Sequence, residues 1–246
     1  MIGLFTIVAV GFVLGVRHAT DADHVVAITT IVSRQRNLAR AALTGIIWGV
    51  GHTLTIFAVG MGIILFNLVI PPRLGLAMEF AVGAMLIILG ILNIASSLRS
   101  RIQLTVEDSA APSKQAHTDG HLYLLPPPMR TSVRSSAGTV RPLLVGVVHG
   151  LAGSVAIVLL VLASIRNPRW ALAYLLVFGA GTVAGMMLIT LSIASTCQFF
   201  GRSNRRLQQH LGLASGVLSL LFGVLLSYQI GYVDGLFLVH AHWIPR

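Results

Sequence analysis

Cysteine and charge are what this chain has least of. It has one cysteine, Cys197, in 246 residues. A single thiol excludes an intramolecular disulfide framework and a paired-thiol relay, so Cys197 is read as a small core residue. Acidic residues number seven, and charged residues of both signs make up only 10% of the chain. That is far below what the surface of an ordinary soluble domain carries. There is no H-E-x-x-H sequence and no nucleotide-binding motif, which weighs against a zinc hydrolase and against ATP as the chain's own energy source. The first apolar run has no basic segment before it. Arg17-His18 follows it where small residues would mark a cleavage site. It is therefore expected to be retained as a helix rather than removed as a signal peptide.

What the chain does have is apolar residues, at 55% of the total, with a mean hydropathy of +0.86. A membrane-crossing helix takes about 20 mostly apolar residues. Six stretches meet that length: residues 3–32, 41–70, 75–98, 142–165, 169–199 and 210–233. Several exceed it, so tilted or kinked helices are expected. A transmembrane β-barrel would show short alternating segments instead. The expected fold class is an all-α membrane protein of six transmembrane helices.

The net charge of +10 would suggest nucleic acid in a soluble protein, but no basic patch interleaved with aromatics supports that reading. The positive-inside rule accounts for it. With both termini outside, the inner segments hold Arg34, Arg36, Arg40, Arg99, Arg101, Lys114, Arg130, Arg134, Arg141, Arg202, Arg205 and Arg206. The outer segments hold Arg73, Arg166, Arg169 and Arg246. The expected location is the cytoplasmic membrane, crossed several times.

Three glycine-bearing patterns recur at nearly one spacing. Gly15-Val16-Arg17-His18 matches Gly146-Val147-Val148-His149 at an offset of 131 residues. Gly49-Val50-Gly51 matches Gly179-Ala180-Gly181 at 130. Ala81-Val82-Gly83 with Gly90 matches Ala214-Ser215-Gly216 with Gly223 at 133. Two repeats of three helices each would enter the membrane in opposite senses, the inverted-repeat plan of many secondary transporters. The expected units are 1–99 and 142–246, the second ending in an interfacial tail. Between them lies a polar cytoplasmic linker, 100–141, read as flexible or disordered. That linker holds His117, Asp119 and His121, a weak metal-collecting tract or simply solvated residues.

The densest chemistry is R-H-A-T-D-A-D-H at Arg17–His24. Ionisable groups at membrane depth usually mark an ion or substrate path, and imidazole and carboxylate suit divalent transition metals. On a continuous helix, Asp21 and His24 lie about 300° and 240° round from His18, and Asp23 about 140°. His18, Asp21 and His24 would then share a face. Asp23 would look elsewhere, either orienting a histidine or pairing with Arg17. His52 follows Trp48-Gly49-Val50-Gly51 in the second span, with Thr53 beside it. His149, the repeat counterpart of His18, would sit across the midplane. The positions matching Asp21 and Asp23 are Ala152 and Ser154, so the site would be asymmetric. Candidate metal ligands are thus His18, Asp21, Asp23, His24, His52 and His149, with Arg17, Thr53 and Ser154 as supporting or gating residues. Glu79, Asn93 and the tail residues Asp234, His240 and His242 are weaker candidates.

The octapeptide resembles the signature of the nickel/cobalt transporter (NiCoT) family, R-H-A-x-D-A-D-H. Gly51-His52-Thr53 resembles that family's G-H-S/T motif in the next helix. The family's third motif carries Asp, Thr and Glu. The comparable Val148–Ser154 has no carboxylate, and the chain has six expected helices where typical members have eight. It is thus more similar to the short branch of urease-accessory (UreH-type) membrane proteins. The resemblance implies passage of Ni²⁺ or Co²⁺ as substrate, with no resident cofactor and no enzymatic activity. It gives roles in metal selection to His18, Asp21, Asp23, His24 and His52, and leaves export open beside uptake. The implied partners are the metal ion, the lipid bilayer and proteins of urease or hydrogenase maturation. The expected mechanism is alternating access, two inverted halves rocking about the ion. Histidine binds metal as the neutral imidazole, so binding should weaken as pH falls through about 6. The rivals are an intramembrane metalloenzyme and a membrane accessory protein that hands over nickel without transporting it.

Overall fold

A computed structural model describes residues 4–33, 35, 37–66, 71–109, 134–151, 167–203 and 205–238. Among these, all regular structure is helical. The elements are α1 (Leu4–His18), α2 (Ala22–Val32), α3 (Leu38–Phe66), α4 (Pro72–Ser109), α5 (Arg134–Gly150), α6 (Pro168–Ser203) and α7 (Arg205–Tyr228). A short π-helical turn, Gln229–Val233, ends the last helix. The chain then reverses through Gly235, whose φ is 83°.

Local chemistry sets several starts. Asn37 and Asn167 cap α3 and α6 with their side chains, accepting from the Arg40 N–H (3.1 Å) and the Arg169 N–H (3.0 Å). Pro72 and Pro168 occupy first-turn positions, where a missing N–H costs nothing.

Four stretches are long and apolar enough to cross a membrane: Leu38–Gly62, Pro72–Arg99, Arg169–Phe199 and His210–Val233. Leu54, Leu65, Leu176, Leu188, Leu221 and Leu225 are each more than half exposed, as a lipid-facing surface requires. The protein is a membrane protein. The expected first span is not one helix, however. It is α1 and α2, separated at Ala19–Asp21. The fourth expected span is described only as far as Leu151. The expected linker 100–141 is helical at both ends, where α4 runs on to Ser109 and α5 begins at Arg134. Its middle, with His117, Asp119 and His121, lies outside the described residues, as do Ala152, Ser154, His240 and His242.

The largest packing interfaces pair α1 with α6, α3 with α5, α3 with α6, and α4 with α7. Lipid is as apolar as leucine, so these helices gain little from burial itself and associate through close packing and interhelical hydrogen bonds. Glycine supplies the closeness. A Cβ at Gly15 would strike the Phe178 carbonyl, and one at Gly146 the Trp48 carbonyl. Gly181 lies against the Phe12 carbonyl and Gly51 against that of Leu143. Asn93, at the α4–α7 interface, donates to Gly212 O (3.0 Å) and Ser215 Oγ (2.9 Å), and Ser219 donates to Leu86 O (2.9 Å). Asn93 therefore joins helices rather than entering the metal centre. The short helix α2 lies in the middle of the bundle against α4, α6 and α7, with Val26, Ala27, Ile28 and Val32 in the core.

Candidate metal centre

The site begins with a break in the backbone. At the end of α1, Thr20 N–H turns back to Arg17 O (2.8 Å) and Asp21 N–H to His18 O (3.1 Å), three residues away instead of four. The Thr20 hydroxyl also donates to Arg17 O (2.5 Å). This side chain competes with the helical pattern and ends it. Asp21 is extended (φ −59°, ψ 145°) and leads into α2 without a side-chain cap bond. The break overturns the continuous-helix geometry. His18, Asp21 and His24 do not form one stripe, and Asp23 does not face away. His18 becomes the last residue of α1, where the helix dipole favours a cation.

Two carboxylates hold three imidazoles. His18 Nδ1–H donates to Asp21 Oδ2 (2.9 Å). His24 Nδ1–H donates to Asp23 Oδ1 (3.0 Å), and His149 Nε2–H to Asp23 Oδ2 (2.9 Å). The His24 backbone N–H also reaches Asp23 Oδ1 (3.0 Å). A carboxylate behind a histidine fixes its tautomer and presents the other nitrogen as a lone pair. For His18 that nitrogen is Nε2, which lies 2.9 Å from His52 Nε2. Two ligand nitrogens at right angles around a metal at about 2.1 Å would be about 3 Å apart.

His24, His52 and His149 are at most 1% exposed, and His18 is 8% exposed. His24 Nε2, His52 Nδ1 and His149 Nδ1 are buried and make no hydrogen bond among the described residues. A buried polar atom left so costs about 1–3 kcal/mol. A cation would satisfy such lone pairs. Two sets of side chains each bring their ligand atoms within 4.8 Å of one another: His18, His24 and His52, and Asp23, His24 and His149.

Trp48, four residues before His52, also borders the cluster. Its ring lies 5.6 Å from those of both His24 and His149. Phe178 lies 5.6 Å from His18. These rings wall the cluster. Only the W-G-V-G-H spacing hinted at Trp48, and nothing near the motif pointed to Phe178, which lies far along the chain. Arg17 is exposed and does not pair with Asp23, whose oxygens are taken by histidines. Thr53 donates to Gly179 O (3.3 Å), across the α3–α6 interface.

The chain that carries this cluster resembles a known protein. It is 37% identical over 238 residues to the urease accessory protein UreH of Bacillus sp. (strain TB-90), spanning 96% of each chain. This chain belongs to the UreH family. No family model matches it, and no solved structure does. The similarity to the short, urease-accessory branch therefore holds along nearly the whole chain. The relative is described as a urease accessory protein rather than as an enzyme.

Proposed function

We propose that this protein passes a divalent transition-metal ion, Ni²⁺ or Co²⁺, across the cytoplasmic membrane, and that His18, His24 and His52 hold it. The observation that carries this reading is the convergence of three buried imidazoles on one point inside a membrane protein, two of them backed by carboxylates. Imidazole suits nickel, cobalt, copper and zinc alike, so selectivity rests on geometry and metal availability rather than raw affinity. Asp21 and Asp23 orient the ligands. In binding the ion, His52 turns its proton to Nδ1 and offers Nε2.

Alternating access is supported by the packing. Offsets of 130 to 133 residues map each partner of a glycine contact onto its counterpart: Gly15 with Phe178 onto Gly146 with Trp48, and Gly90 with Gly216 onto Gly223 with Gly83. Such exchange of partners is what two inverted three-helix halves would produce. Rocking of the halves would then expose the cluster to each side in turn. Both termini lie outside in this reading, as the basic residues favour.

A second reading is favoured by the relative's description as a urease accessory protein. In it the chain binds nickel and hands it to urease or hydrogenase maturation proteins without moving it across the membrane.

The deciding experiment is ⁶³Ni²⁺ flux into proteoliposomes for the wild type, His18→Ala and Asp21→Asn, with Co²⁺ and Zn²⁺ as competitors. Saturable flux lost in His18→Ala and reduced in Asp21→Asn establishes transport through this site. Nickel binding without flux favours the hand-over reading, and loss of both refutes the metal assignment.

A further inference from the structure

The two ligand sets share one residue. His24 belongs to the His18–His24–His52 group and to the Asp23–His24–His149 group. Its ring lies nearly midway, with its centroid 4.8 Å and 5.0 Å from those of His18 and His52, and 4.3 Å from that of His149. The His52 and His149 rings are 6.2 Å apart. Of the two nitrogens of His24, Nδ1 faces Asp23 and Nε2 is buried without a partner.

The two groups differ in access and in charge. Beside the first lies Asp21, whose side chain is 45% exposed. The second contains Asp23, which is 21% exposed, and His149, which is fully buried. The first offers three imidazoles, and the second offers two imidazoles and a carboxylate. The first is built from α1, α2 and α3. The second joins α2 to α5, and His149 is its member from the second half of the chain.

We propose that the metal ion has two successive positions in this cluster, the first on His18, His24 and His52 and the second on Asp23, His24 and His149, with His24 as the ligand kept during the transfer. This rests on the metal-passage reading and specifies how the ion travels within the site. The shared ring serves both positions, through Nε2 in the first and through Nδ1, the nitrogen facing Asp23, in the second. Each imidazole remains neutral: on the move to the second position His24 shifts its proton from Nδ1 to Nε2 and His149 its own from Nε2 to Nδ1, so that the nitrogens facing Asp23 become the ligands. Two divalent ions this close would repel strongly in a low-dielectric interior, so one position is filled at a time.

The test uses the full chain in detergent and in proteoliposomes. Ni²⁺ binding is measured by titration calorimetry, ligand number by X-ray absorption at the nickel edge, and flux with ⁶³Ni²⁺. One nickel per chain is expected for the wild type. His149→Ala should keep its affinity within about threefold and its imidazole count unchanged, yet lose flux by at least about tenfold. His52→Ala should lose affinity by more than about tenfold, and its residual nickel should show a carboxylate oxygen and fewer imidazoles. His149→Gln checks that the flux loss does not come from a cavity at Ala. If His149→Ala weakens binding as much as His52→Ala and removes an imidazole from the spectrum, the cluster is one site and the proposal fails. Unchanged flux in both His149 variants also overturns it. If the wild type binds no nickel, the metal assignment itself fails, and the two-position proposal with it.

Discussion

Asp23 touches two histidines that are far apart in the sequence, one its neighbour and the other 126 residues away. Both of its oxygens are engaged, so an amide cannot replace it. Asn offers one acceptor oxygen and turns an NH₂ toward the other histidine. Asp23→Asn should therefore weaken Ni²⁺ binding about 10–100-fold, the usual effect of losing a partner behind a metal ligand. Titration calorimetry on protein that still elutes as a single species would show it. Gly146 is another position where one atom decides. A Cβ there would meet the Trp48 carbonyl and lie 3.0 Å from the His52 backbone nitrogen. Backbone cannot move aside as a side chain tip can. Gly146→Ala should destabilise the protein by about 1–3 kcal/mol, as overpacking does, and thermal melting in detergent reads this directly. Of the site residues, the identities of His18, Asp21, Asp23, His24 and His52 were legible in the motif. The pairing of Asp23 with His149 was not, because it depends on how α5 docks against α3.

At the scale of the helix, the break between α1 and α2 has most influence on the site. The apolar run 3–32 shows a span but not its interruption. Thr20 and Asp21 are ordinary polar residues, and only the turned-back hydrogen bonds reveal that the helix stops. Asp23 and His24 both lie in α2, so the break changes how the two sit relative to His18 on α1. Capping, by contrast, could be read in advance, since Asn before Pro at 167–168 is a helix start in any context. Asn167→Ala should remove the bond to the Arg169 N–H and cost about 1 kcal/mol, lowering the melting temperature. Nickel affinity should stay within about twofold, because such surface changes act locally.

Over the whole molecule, the first and second halves of the chain are interleaved rather than side by side. The pairs α1–α6, α3–α5 and α4–α7 each join one half to the other. The proposed rocking of the halves would therefore have to move these interfaces. Gly83 and Ser227 face each other across α4–α7, and a Cβ on Gly83 would lie 2.5 Å from Ser227 Oγ. Gly83→Cys with Ser227→Cys, in a Cys197→Ala background, should form a disulfide. The oxidised protein should lose ⁶³Ni²⁺ flux by at least about tenfold and regain it with a thiol reductant, while binding stays within about twofold. Undiminished flux in the oxidised protein would place the motion at the α1–α2 break instead.

By itself the sequence determined the environment and the ingredients. Long apolar runs can only be satisfied as helices in lipid, because each backbone group must find its partner within the segment. Ionisable residues inside such runs must converge, because isolated they are too costly. The recurring glycines marked where helices would meet. The tertiary structure alone decided which residues meet. It ended α1 at His18, set Trp48 against two histidines, and brought His149 from the other half to Asp23. Each of these depends on contacts between separate helices, up to 126 residues apart, or on a turn held by three local hydrogen bonds, and neither leaves a periodic trace in the chain.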